Sequence, residues 1–127
     1  MNATAELYEQ DFYAWTLKNA ELLREGRLGE VDLEHLAEEL ESMGRSEKRE
    51  LTHRLAVLLA HLLKWQVQAG RRGRSWQLTL KEQRRQAARV LRDNPSLKPL
   101  LAEIVADAYQ DAILRAAQET GLEESTF

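Results

Sequence analysis

The sequence predicts an all-α fold, an irregular bundle of about five helices with the third, residues 47–68, at its centre. Three observations carry this reading. Alanine, leucine, glutamate and arginine, all strong helix formers, dominate the 127 residues. Only two prolines and six glycines interrupt them. Apolar residues recur every three or four positions, and no segment shows the alternation of a half-buried strand.

The first helix is expected over residues 5–24, with Tyr8, Phe12, Trp15 and Leu22 at helical spacing, and Gly26 and Gly29 stop it. Asp32 reads as the N-cap of a second helix whose Leu33, Leu36, Leu40 and Met43 form a stripe, ending at Gly44. Ser46 then caps the third helix. There Leu51, Leu55, Leu58, Leu62 and Trp65 make a seam that Val57, Leu59 and Leu63 widen, and a helix apolar on most sides is central. Ser75 is the expected cap of a fourth helix reaching Arg92, with Trp76, Leu80, Ala87 and Leu91 inward and Arg84 on that same face. Pro95 blocks continuation, Ser96 caps the fifth helix, and Gly121 ends it. The length fits a single helical domain over residues 1–127.

Composition excludes several function classes. The chain has no cysteine, which removes disulfides, thiol catalysis and thiolate metal sites. The opening MNATAELYEQD lacks the basic and apolar regions of a signal peptide. The longest apolar run, LAVLLAHLL, is far below the roughly 20 residues of a membrane span. A cytoplasmic protein with no membrane partner is expected.

The net charge of −3 hides an uneven distribution. Residues 30–41 carry six carboxylates and no Lys or Arg, whereas residues 64–92 carry nine Lys or Arg against Glu82. Within the basic segment, HLLKWQVQAGRRGRSWQ sets Trp65 and Trp76 on either side of Arg71, Arg72 and Arg74. The indoles are expected to close a helical corner. The candidate binding surface comprises Lys64, Trp65, Arg71, Arg72, Arg74, Trp76, Arg85 and Arg89, which could meet a protein partner, or hold phosphates while bases stack on the indoles.

Metal ligation is a weaker pattern. Asp32 with His35, and Glu50 with His53, each place a carboxylate and an imidazole three residues apart on one helix face. Di-iron bundles use such pairs with further glutamates, for which Glu103 or Asp107 are the nominees. Asp32 is already accounted for as a cap and Glu50 by pairing with Arg54, so no metal or other cofactor is expected. Catalytic candidates reduce to one hypothetical buried cluster of His61, Asp11, Glu38 or Glu39, and Arg84, in which a carboxylate would orient the imidazole. No nucleophile elbow, phosphate loop or His-Glu-x-x-His occurs.

The segments YEQDFYAW, EELESMGRSEKREL, HLLKWQ, SW followed by EQRR, and NPSLK stand in an order that resembles the domain of unknown function 29 family. The resemblance spans nearly the whole chain, from Tyr8 to Leu122. It implies a bacterial protein of all-helical fold and brings no activity with it. Family members often continue past a Thr-Phe pair into a tail containing proline and cysteine, whereas this sequence stops at Thr126 and Phe127. The expectation is a non-enzymatic interaction module, self-associating or binding another protein through residues 64–92. Local nucleic-acid or polyanion binding is the alternative, and an enzyme built on the His61 cluster comes third.

Overall fold

The computed structural model describes residues 3–127. Five α-helices and no strand occur among them: α1 (Ala3–Gln10), α2 (Phe12–Arg24), α3 (Leu33–Val67), α4 (Arg74–Asp93) and α5 (Leu101–Thr120). Short 3₁₀ segments connect them at Leu28–Glu30, Ala69–Arg71 and Pro95–Leu100, and another, Glu124–Thr126, follows α5. The chain divides into two compact units between Gly44 and Arg45, so α3 contributes to both. Among the described residues, no helix is long and apolar enough to cross a membrane.

The first unit departs from expectation at Asp11. Instead of one helix over residues 5–24 there are two, because Asp11 leaves the helical region (φ −156°) and its carboxylate accepts from Ala14 N at 3.0 Å. A side chain that caps a helix start competes with helix continuation through its own position. The interior here is unusually polar. Trp15, Leu22 and Val31 are buried, and so are Asn19 and Asp32. Asn19 Nδ2 donates to the Trp15 carbonyl (2.8 Å), while its Oδ1 accepts from Asp32 N (2.9 Å). Both ends of the amide are thereby satisfied, as burial requires.

The second unit holds an apolar core of Leu51 from α3, Ala87 and Val90 from α4, Leu97 from the 3₁₀ segment and Ile104 from α5, with Leu55, Leu91 and Leu101 packed against it. The second half of α3 is thus the element that α4 and α5 share. Two bridges, Lys48 to Glu103 (2.9 Å) and Lys64 to Glu119, join α3 to α5. Both pair residues 55 apart in sequence, so the two helices run in the same direction. At the far end, Gly121 takes the left-handed conformation (φ 75°) and its N–H bonds to the Ala117 carbonyl, which is the expected C-cap.

Other boundaries moved. The expected stop at Gly44 and cap at Ser46 do not form; α3 is continuous for 35 residues through both. One glycine costs a helix only about 1 kcal/mol relative to alanine, which strong formers on either side can carry. At the start of α4, Gly73 rather than Ser75 is the N-cap, and Ser75 lies inside the helix.

Gly44 is helical and exposed, and a Cβ there would meet nothing within 4 Å. Gly44→Ala is therefore expected to stabilise the protein by about 0.5–1 kcal/mol, read as a raised denaturant midpoint at unchanged slope.

Candidate functional site: the cationic face of the fourth helix

The corner between α3 and α4 is closed by the two indoles. Trp65, near the end of α3, and Trp76, in the first turn of α4, have ring centroids 6.3 Å apart at 41°. His61 meets Trp76 edge-on (6.3 Å, 79°) and donates from Nδ1 to the Val57 carbonyl (2.8 Å). Both indoles are half-buried, and their faces are taken by neighbours in the same unit.

Two expected surface cations belong to this corner. Lys64 is 7% exposed; its ammonium bonds Glu119 and sits 5.3 Å from the Trp76 ring centroid. It is a buried, neutralised charge and no part of an outward surface. Arg72 lies over Trp65 at 5.4 Å and donates from Nε to the Trp65 carbonyl at 2.7 Å. Its job is to close the corner, although it remains exposed at the edge. Arg71 and Arg74 are exposed and form no ion pair among the described residues.

The larger feature lies along α4. At 100° per residue, Arg74, Leu78, Lys81, Arg85, Arg89 and Arg92 fall within about 80° of one another. All six are exposed. Leu80, Ala87 and Val90 are buried on the opposite side. From Arg74 to Arg92 the stripe is about 27 Å long, at 1.5 Å per residue. Its anionic neighbours do little to neutralise it: Arg92 reaches Asp93 at 3.6 Å, and Glu82 accepts from Gln86. Lys81, Arg85 and Arg89 make no ion pair among the described residues.

Several expectations about the hypothetical cluster are corrected. Arg84 is exposed, not inward. It stands at the margin of the buried face, where a long stem carries its guanidinium into water. Asp11 is exposed and serves as the cap of α2. Glu39 accepts from the Tyr8 hydroxyl, and Glu38 is exposed. Asp11, Glu38 and Glu39 belong to the first unit, His61 and Arg84 to the second.

The carboxylate–imidazole pairs are likewise placed. Asp32 caps α3 by accepting from His35 N (3.3 Å) and also takes hydrogen bonds from Trp15 Nε1 (2.9 Å) and His35 Nδ1 (2.7 Å). The His35 ring stacks on Tyr8 at 4.0 Å and 8°. Glu50 pairs with Arg54 at 2.8 Å, and His53 is exposed. Glu103 is held by Lys48. Among the described residues, no three His, Asp or Glu gather as a metal would need.

A family model that matches nearly the whole chain decides the family. The chain belongs to the Domain of unknown function DUF29 family. The family model matches residues 7–127, which includes both units. No curated protein and no solved structure matches the chain. Within this DUF29 chain, two features escaped the sequence reading. Glu119 as the partner of Lys64 is a contact between helices, invisible to spacing along either one. Leu78 was visible, an exposed leucine at the spacing of the basic stripe.

The Asp32–His35 pair makes stability pH-dependent. Burial opposes the Asp32 charge, but hydrogen bonds from Trp15 and His35 outweigh it and hold its pKa below the usual range. The hydrogen bond to Asp32 raises the His35 pKa above its ordinary value. Tyr8 is pushed up to about 12, chiefly by its bond to Glu39. The His35 contribution is full below about pH 6.5 and is lost as pH rises through its raised folded pKa. The Asp32 contribution is present above about pH 4 and is lost on acidification. The melting temperature is expected to fall as the pH rises from about 6.5 through the raised folded pKa of His35. His35→Gln should lower the value at the acidic end and flatten the slope; an unchanged slope would refute the assignment.

Glu119→Ala removes the counter-charge of a buried ammonium. Because Glu119 is itself partly solvated, the expected loss is about 1–2 kcal/mol, below the range for wholly buried pairs. Adding Lys64→Met should recover most of it in urea unfolding, since methionine leaves no charge behind.

Proposed function

We propose that this protein is a non-enzymatic interaction module, and that the α4 stripe docks an acidic surface on a protein partner. The observation that carries this reading is a row of five exposed cations and Leu78 along one helix face, opposite that helix's buried side. Such a row raises the local concentration of an acidic partner and orients it over several turns. Leu78 supplies an apolar contact point within it.

Nucleic acid is the second reading, favoured by the same density of positive charge. The aromatic geometry argues against its single-stranded form. Base-stacking surfaces present open ring faces, whereas Trp65 and Trp76 pack on each other, with Arg72 over one and Lys64 over the other. Phosphate contact by a duplex is the form that survives.

Full-length protein should bind a fluorescent glutamate-rich helical peptide of about 20 residues more tightly than a duplex of equal charge, and weaken with salt. Lys81→Glu, Arg85→Glu and Arg89→Glu together should reduce peptide affinity about tenfold or more, some 1.4 kcal/mol, with little change in melting temperature because these side chains are exposed. Tighter binding to the duplex would transfer the stripe to nucleic acid. Binding that is indifferent to the triple change would remove the stripe from function altogether.

A further inference from the structure

Beside the α4 stripe, the second unit carries a different surface, an open groove of about 1080 Å³ between the second half of α3 and α5. Its α3 wall presents Arg49 and His53, and its α5 wall presents Asp107 and Asp111. All four are exposed, and among the described residues none has an ion pair or side-chain hydrogen bond. Arg115, half-buried, lies toward the inner edge of the α5 wall. The floor includes the small side chain of Ala56, while Leu114 stands on the α5 wall with half its surface in water.

The heights of these groups follow from the two bridges. Lys48 to Glu103 and Lys64 to Glu119 set α3 and α5 parallel with an offset of 55 residues. Asp107 is then level with position 52 and Asp111 with position 56, so each wall's charges stand at nearly the same height as the other's. At these facing heights the α3 wall presents the Arg49 cation and the His53 ring, the α5 wall presents the carboxylates of Asp107 and Asp111, and Arg115 stands further along the α5 wall.

We propose that a second copy of this chain occupies this groove, related by a two-fold axis running along it. Such a rotation keeps height and exchanges the walls, so the α3 wall of each copy faces the α5 wall of the other. Arg49 meets the partner's Asp107, His53 meets the partner's Asp107 and Asp111, and every contact occurs twice, as an isologous interface requires. Leu114 of each copy is directed toward the opening above the partner's Ala56, giving the pair an apolar contact between its charged rows. A foreign partner would have to reproduce the reversed charge pattern; a second copy has it by symmetry.

The test is the mass of the full-length protein by sedimentation or light scattering across concentration and salt. Wild type should be dimeric at about 100 µM in low salt, and the dimer should weaken as salt is raised. Asp107→Arg with Asp111→Arg removes the carboxylates that would face Arg49 and His53, and Arg49→Asp with His53→Asp sets carboxylates against carboxylates at those positions. Each double variant alone should be monomeric, with the dimer dissociation constant raised about tenfold or more. Mixed one to one, the two variants should form a heterodimer, a result that misfolded chains cannot give. A monomeric wild type, or a dimer unmoved by either variant, overturns the proposal. So does a groove that binds only an added peptide. The Lys81, Arg85 and Arg89 variant should leave the mass unchanged, so the fate of this groove and that of the α4 stripe are read separately.

Discussion

The second unit depends on one constraint: α3 and α5 must lie side by side and point the same way. Two lysine–glutamate bridges with equal sequence separation mark the alignment, sixteen residues apart on each helix, or about 24 Å. Between these anchors five of the eight buried apolar positions are alanine, Ala56 and Ala60 on α3, Ala108, Ala112 and Ala116 on α5, with Leu51, Val57 and Ile104 as the larger ones. Small side chains let helix backbones approach closely, and the approach brings the bridging groups within reach. Parallel helices cannot be joined by a tight turn, so the intervening chain must travel back. That return is α4, which explains why Trp76 meets His61 and Trp65 while Asn94, at its other end, reaches Glu47. The bridges and the core contribute differently. The exposed Lys48 bridge is worth at most about 1 kcal/mol. Burying Leu51 or Ile104 gives about 1.5–3 kcal/mol each. Charge sets the register; apolar burial holds it.

The first unit solves the opposite problem, a short segment with little apolar volume. Trp15 and Leu22 cannot enclose a large core, and a polar scaffold takes up the rest. Asp32 holds several donors at once: the indole of Trp15, the backbone of His35 and the ring of His35. Tyr8 stacks on that imidazole, meets Trp15 edge-on, and donates to Glu39. The spacing of Asp32 and His35 that suggested metal ligation is thus fully used in starting α3 and fastening it to its neighbours. The arrangement is not the reciprocal box in which the third helical residue accepts from the cap's own N–H: the Asp32 N–H goes to Asn19, and the His35 ring bonds the Asp32 carboxylate instead.

How far the fold could be read from the sequence is instructive at particular residues. The caps at Asp32 and Gly121 were legible because each acts on its own helix. The tryptophan corner was legible because only a short linker separates its two halves. Gly44 misled because a glycine marks a helix end only when the chain adopts a positive φ there, and nothing nearby in sequence reports φ. Asp11 misled in the other direction: its neighbours are apolar at helical spacing, yet one carboxylate captured the Ala14 amide. Lys64 and Arg84 were exchanged, the first read as surface and the second as interior. Wheel position alone cannot distinguish a lysine with a glutamate waiting on another helix from an arginine at the margin of a buried face. Both outcomes turn on tertiary neighbours, which periodicity does not encode.

The two charged surfaces of the second unit differ in a way that decides what each can accept. The α4 stripe carries one sign throughout, so two copies presented face to face along it repel, and its complement must come from another molecule. The α3–α5 groove carries both signs in parallel rows, which is the pattern a two-fold axis converts into attraction. Neither charge set is buried, so neither contributes much to folding, and sequence changes there are tolerated by the core. Their positions are nevertheless fixed by that core. Leu80, Ala87 and Val90 turn the stripe outward, and the alanine-lined contact of α3 with α5 determines how far apart the groove's walls stand. For the two contacts proposed above, helix orientation therefore sets which charges face a partner, with side-chain charge reporting the result.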